Sequence, residues 1–109
     1  MKNTFQVISP IDNTVYLERE LASNQAIEKT LSAAQQAQKN WKETTIVERA
    51  AICRKVVEYF LKNADKIGEE LTWQMGRPIR YTPFEITKGF QERANYMIEI
   101  ADEVFEYRC

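Results

Sequence analysis

Along the first twenty residues the apolar and polar positions alternate with a period of about two, which is typical of β-strands. Residues 4–9 alternate partly in this way, and Val15, Tyr16 and Leu17 are residue types that favour strands. Between them, residues 10–13 read Pro-Ile-Asp-Asn, which has the chemistry of a turn. The pattern predicts a β-hairpin over residues 4–18.

From Ala22 onward the apolar period changes to about 3.6, which indicates helices. The first helix is predicted over residues 23–42, with Trp41 continuing its apolar stripe and therefore expected in the core. The second is predicted over residues 46–62, because Thr45 and Glu48 have the spacing of a capping box. The stripe of the first helix consists of Ile27, Leu31, Ala34, Ala37 and Trp41.

A third helix is predicted over residues 65–75, because Gly76 followed by Pro78 is a strong stop signal. The last is predicted over residues 83–106, with Thr82 as N-cap and Pro83 at the first helical position. At 1.5 Å per residue this helix would be roughly 36 Å long. The predicted fold is therefore mainly α, a single domain over residues 1–109 with an amino-terminal β-hairpin and about four helices, the last one long.

Composition removes several functions. The 109 residues contain no histidine, which excludes a Ser-His-Asp or Cys-His mechanism and histidine-ligated zinc within this chain. The 15 Lys and Arg are balanced by 16 Asp and Glu, so a nucleic-acid partner is not expected. No apolar run is long enough for a membrane span or a signal-peptide core, and we expect a cytoplasmic location without membrane association.

Candidate chemistry is sparse. Neither phosphate-binding glycine motif occurs, and neighbouring acids such as Glu69 and Glu70 diverge on a helix, which favours a solvated face over a catalytic pair. No metal site is predicted. Cys53 is either a small buried apolar residue or a reactive thiol, and the first interpretation is favoured because no base lies nearby.

Five segments of the chain follow one known order: residues 9–15, 22–41, 47–52, 71–78 and 95–101. In this order they resemble the amino-terminal part of the aldehyde dehydrogenase superfamily. The turn region resembles the Asn-Pro-Ala-Thr-Gly-Glu-Val hairpin that opens its members, and the other segments resemble its first helix, its Glu-Arg-Ala helix start, its Leu-x-x-Glu-x-Gly-Lys-Pro segment and its Arg-Tyr-Tyr-Ala-Gly helix. Gln74, Arg77 and Met97 depart from these motifs.

The resemblance implies part of an α/β enzyme fold and an NAD(P)-dependent oxidation of an aldehyde to a carboxylic acid. In that family the nucleophilic cysteine, the glutamate, the asparagine and the cofactor strand all lie downstream of such a segment. No catalytic or cofactor-binding residue is therefore expected here, and neither Cys53 nor Cys109 inherits the nucleophile's role. We expect a truncated fragment that is inactive alone, with NAD or NADP and a small aldehyde bound only by a full-length relative.

One site carries over by resemblance. The long final helix resembles the one bordering the aldehyde entrance, which places Glu85, Gly89 and Phe90 along a substrate channel. Phe90 is equally well explained as part of the helix's own apolar stripe. The alternative function is a helical protein-interaction module without enzyme activity. Since apolar faces would stay uncovered, we expect self-association into a dimer or higher oligomer, with exchange of the final helix as one route.

Overall fold

The computed structural model describes residues 3–106 and begins with the predicted hairpin. Strand β1 (Thr4–Ile8) pairs antiparallel with β2 (Val15–Glu20), with Val7 opposite Leu17 and a shift in register between Val7 and Ile8. At the turn, the Asp12 carboxylate accepts hydrogen bonds from the Thr14 amide (3.0 Å) and hydroxyl (2.8 Å). These side-chain bonds stabilise the left-handed conformation of Asn13 (φ 60°). The hairpin is confirmed, and β2 runs two residues beyond its predicted end.

Helices α1 (Asn24–Trp41) and α2 (Ile46–Lys62) follow, each with a capped start. The Ser23 hydroxyl accepts the Ala26 amide at 3.2 Å. At α2 the capping box is complete: the Thr45 hydroxyl accepts the Glu48 amide, and the Glu48 carboxylate accepts the Thr45 amide at 2.7 Å. The Thr45 hydroxyl also donates to the Glu48 carboxylate at 2.9 Å. The bonds from the Thr45 amide and hydroxyl lower the pKa of the Glu48 carboxyl, because they favour its charged form.

Helix α3 (Ala64–Met75) ends as its glycine predicts. Gly76 lies in the left-handed region (φ 73°) and its amide donates to the Thr72 carbonyl at 2.8 Å. Asn63 separates α2 from α3 without capping α3, because its side-chain amide donates back to the Tyr59 carbonyl at 2.8 Å.

The final helical run is long, as predicted, but it is not uniform. It consists of α4 (Thr82–Phe84), a π-helical segment (Glu85–Phe90), α5 (Gln91–Glu99) and α6 (Ala101–Glu106). The expected Thr82 cap is wrong. Thr82 is fully buried, and its hydroxyl bonds to the Thr72 hydroxyl (3.1 Å) and the Ile79 carbonyl (3.3 Å) instead of a helix amide.

Packing centres on α3. The hairpin lies against one side of α3, α4 lies against another, and α5 packs on α2. Gly68 allows the close approach of α4, since a Cβ there would lie 2.8 Å from the Pro83 nitrogen. The hydrophobic residues that become buried are Val57, Ala64 and Ile86.

Helix α1 is exposed along its whole length. The prediction that Trp41 lies in the core is wrong, since Trp41 is 40% exposed and no element of the described chain covers the α1 stripe. The radius of gyration is 18.5 Å, against about 13 Å for a compact chain of this length. No helix within residues 3–106 combines the length and apolar character needed to cross a membrane.

Candidate functional site

Glu85, Gly89 and Phe90, the three residues placed on a channel by resemblance, line one concave surface of about 440 Å³. Arg93, Ala94 and Met97 complete its wall one and two turns further on. The π-helical segment covers the same residues, Glu85–Phe90, and its wider turn distinguishes this surface from the rest of the run. Such segments are rare and recur at functional sites. We call this the Gly89 surface.

The start of the Gly89 surface is held in place by charge and by hydrogen bonds. Arg77, just after the α3 stop, forms an ion pair with Glu85 at 2.5 Å. The Gln91 amide donates to the Ile86 carbonyl in the widened π-helical pattern, and the Thr87 hydroxyl donates to the Pro83 carbonyl at 3.3 Å. Because its carboxylate is paired with the Arg77 guanidinium, Glu85 serves in this structure to position neighbouring groups and is not a free base.

Phe90 and Gly89 differ in what surrounds them. The Phe90 ring packs on Phe60 of α2, with centroids 4.8 Å apart and planes tilted by 35°. Phe90 therefore belongs both to the apolar packing and to the Gly89 surface. At Gly89 a Cβ would meet nothing within 4 Å, so the floor of the surface is open there.

A second well-ordered junction joins the hairpin to α3. The Tyr16 ring stacks on Trp73 (6.1 Å, 6° between planes), and its hydroxyl donates to the Glu70 carboxylate at 2.5 Å. The hydrogen bond to Glu70 is the main reason that the pKa of Tyr16 is raised, with burial and the charges of Glu70 and Glu69 adding to it. The Ser9 hydroxyl donates to the Trp73 carbonyl at 2.7 Å. This junction positions the hairpin.

Sequence reasoning did not identify several of these partners. In the sequence, Arg77 only departs from a family motif. The one signal that it pairs with Glu85 is its opposite charge, a short turn away. Thr72 and Arg93 gave no local signal. The prediction that Cys53 is buried is wrong: Cys53 is exposed, because α5 covers only part of this face of α2. Cys109 lies outside the described residues.

Residues 3–106 contain no group of three or more acidic or cysteine side chains that could hold a metal ion. They also do not fit a dinucleotide, which binds where a glycine-rich turn joins a parallel strand to a helix N-terminus. The sheet here is the two-stranded antiparallel hairpin, and β2 leads into α1 through residues 21–23, which include no glycine.

The family is decided by comparison with known proteins. The model of the aldehyde dehydrogenase family matches residues 1–107. The chain belongs to the aldehyde dehydrogenase family. The resemblance noted in its five segments is confirmed over nearly the whole chain.

Curated relatives agree with the family assignment. An aldehyde dehydrogenase of Deinococcus radiodurans is 30% identical over 78 residues, which are 72% of this chain and 15% of that protein. An aldehyde dehydrogenase of Vibrio cholerae is 31% identical over 78 residues, again 72% of this chain and 15% of that protein. The methylmalonate-semialdehyde dehydrogenase (acylating, mitochondrial) of Arabidopsis thaliana is 29% identical over 85 residues, 78% of this chain and 14% of that protein.

No solved structure matches the chain with statistical significance. The chain spans about 15% of the length of the aldehyde dehydrogenases that it matches.

Proposed function

We propose that these residues form the amino-terminal segment of an NAD(P)-dependent aldehyde dehydrogenase, an oxidoreductase that converts an aldehyde to a carboxylic acid. The observation that carries this proposal is the family match over residues 1–107. By resemblance, the thiolate, the glutamate and the dinucleotide site belong to parts of such enzymes outside this segment. NAD or NADP would supply the hydride acceptor there, and the 109 residues alone are inactive.

Within such an enzyme, we propose that the Gly89 surface forms one wall of the aldehyde entrance. Its apolar residues, Phe90 and Met97, would contact the hydrocarbon part of a substrate, while Arg77 holds Glu85 at the rim. The segment would then position the aldehyde and exclude water, and the chemistry would take place elsewhere. A cytoplasmic location stays a prediction.

Inactivity of the chain alone is tested directly. The purified 109-residue protein is mixed with short and long aldehydes and with NAD or NADP, and absorbance at the nicotinamide band is followed. We expect no reduced cofactor. Sustained turnover that scales with protein concentration would overturn the proposal that the catalytic groups lie elsewhere.

The channel is tested in a chimera that carries this segment in place of the matching part of the Deinococcus radiodurans relative. Gly89→Val adds bulk where space is open, so the fold should tolerate it while the entrance narrows. We expect kcat/KM to fall more for long aldehydes than for short ones. Gln36→Val, on the exposed polar side of α1, is the control. An unchanged length preference in Gly89→Val would remove the channel assignment.

A second role, a self-associating helical module, is favoured by two observations. The chain is much more extended than a compact chain of its length, and α1 is exposed throughout. We propose that the 109 residues associate into a dimer or higher oligomer when alone. Size-exclusion chromatography with light scattering decides this, and a monomer at micromolar concentration would contradict it.

A further inference from the structure

An apolar furrow runs between α2 and the α5–α6 pair. Two adjoining cavities of about 190 and 300 Å³ share Cys53, Met97 and Ile98 as lining residues. From Ile46 at one end to Val56 at the other, the α2 side presents almost only apolar groups to this space. We call it the α2–α5 furrow. A trough between two helices with an apolar floor has the form that an amphipathic helix fills.

Within residues 3–106, helix α1 is the amphipathic helix that no other element covers. Ile27 is 45% exposed and Leu31 57%, so the stripe that should be buried faces solvent. From Ile27 to Trp41 the stripe is about 21 Å long, and the opposite wall of the furrow from Phe90 to Phe105 is about 22 Å. The two apolar surfaces therefore match in length as well as in character.

Helix α1 is not free to fold into the furrow of its own chain. Its start is tied through residues 21–23 to the hairpin, which is fixed on α3 by the bonds from Ser9 to Trp73 and from Tyr16 to Glu70. Its end is tied to α2 through residues 42–45. To fill its own furrow, α1 would have to move while both of its ends stay attached, whereas a second copy can supply α1 with the hairpin still bonded to α3.

The exposed area is sufficient for such an interface. The accessible surface is 9241 Å², against about 6,300 Å² for a compact protein of 12.8 kDa. The excess of about 2,900 Å² per chain exceeds the roughly 800 Å² per partner that a standard stable interface buries.

Charge also favours this pairing. Arg49 lines one end of the furrow and, within the described part of the chain, pairs with no carboxylate; its buried Nε also has no hydrogen-bond partner. Glu28 flanks the amino-terminal end of the α1 stripe and likewise forms no ion pair within residues 3–106. The Arg49 Nη2 donates to the Thr44 carbonyl at 2.9 Å, which leaves the guanidinium without a carboxylate partner within residues 3–106. An incoming α1 with its amino-terminal end at Arg49 brings it one.

We propose that the α2–α5 furrow is the docking site for α1 of a second copy, and that two chains exchange α1 reciprocally. Such an arrangement closes as a symmetric dimer and buries both stripes. The proposal names the interface of the self-associating role and rests on it. It assigns the exchange to α1 and not to the final helix, because α5 and α6 pack on α2.

Cys53 provides the test, because its exposed thiol lies at the middle of the furrow. In a Cys109→Ser background, Ala34→Cys places a thiol at the middle of the α1 stripe, opposite Cys53 whichever way α1 runs. Disulfides form only where the two Cα atoms come within about 7 Å. Under mild oxidation we expect Ala34→Cys to give a covalent dimer as its main product on a non-reducing gel.

Gln36→Cys is the matched control, because residue 36 lies about 200° around the helix from residue 34. It should give no more covalent dimer than the protein with Cys53 alone. Both variants are exposed single substitutions in α1, so neither should disturb folding. Light scattering of the unoxidised proteins should give twice 12.8 kDa.

Each other result overturns something definite. A monomer by light scattering without cross-linking overturns both self-association and the furrow. A dimer in which Ala34→Cys cross-links no better than Gln36→Cys overturns the furrow and leaves self-association standing. An intramolecular disulfide, seen as a monomer of altered mobility, would show that α1 fills its own furrow and overturns the second copy as occupant.

Discussion

The contact between Gly68 and Pro83 leads to a sharp test of how α3 and α4 pack. In Gly68→Ala the new Cβ would lie 2.8 Å from the Pro83 nitrogen and 3.0 Å from two ring carbons, which cannot move independently. Overpacking of this kind costs about 1–3 kcal/mol, while alanine returns up to about 1 kcal/mol of helix propensity. We expect a net loss of roughly 1 kcal/mol in the free energy of unfolding.

Gly89→Ala is the matched control, because its Cβ meets no atom within 4 Å. This variant should gain about 0.5–1 kcal/mol from the reduced backbone freedom of the unfolded chain. With an unfolding entropy of about 2.1 cal/mol/K per residue, Gly68→Ala should lower Tm by about 4 °C and Gly89→Ala should raise it by about 2–4 °C. Thermal unfolding followed by circular dichroism at one fixed protein concentration measures both. Equal shifts, or a more stable Gly68→Ala, would refute the close packing of α4 on α3.

Two further predictions concern titration. Because the pKa of Glu48 is lowered by folding, its contribution to stability is present above the pKa of the unfolded chain and is lost as pH falls through the folded pKa. Urea unfolding between pH 6 and 3 should therefore show that the free energy of unfolding depends less on pH in Glu48→Gln. An unchanged pH dependence would contradict the capping box. The raised pKa of Tyr16 works in the opposite direction: its contribution to stability is present below the unfolded pKa and is lost as pH rises through the folded pKa. Ultraviolet titration should show one tyrosine with a raised pKa, and in Glu70→Gln this pKa should return to its usual range. A raised pKa that persists in Glu70→Gln would assign the shift to burial.

Much of the secondary structure was predictable because its signals are local. The capping box at Thr45 and Glu48 predicts α2 over the residues that the structure assigns, Ile46–Lys62. Gly76 likewise ends α3 for a reason contained in a few neighbouring residues. Such signals depend on residues and backbone groups within one helical turn, so a short stretch of the sequence is enough to recognise them.

What could not be predicted depends on partners far along the chain. Thr82 has the spacing of a cap, yet its hydroxyl bonds to Thr72 of another helix, a contact that no local pattern records. The α1 stripe predicts a helix and its apolar side, but not whether this chain contains an element to cover Trp41. The candidate site came from the family resemblance, and the ion pair that fixes Glu85 became visible only in three dimensions.

The position of α3 has a consequence for how the chain unfolds. The Ser9 hydroxyl of the hairpin donates to the carbonyl of Trp73, 64 residues further along the chain, and α4 packs closely against Gly68 on another side of α3. Both the beginning and the last third of the chain are therefore attached to the same twelve-residue helix. Local opening of α3 would release both at once, so within one chain the cooperativity of unfolding is concentrated in α3.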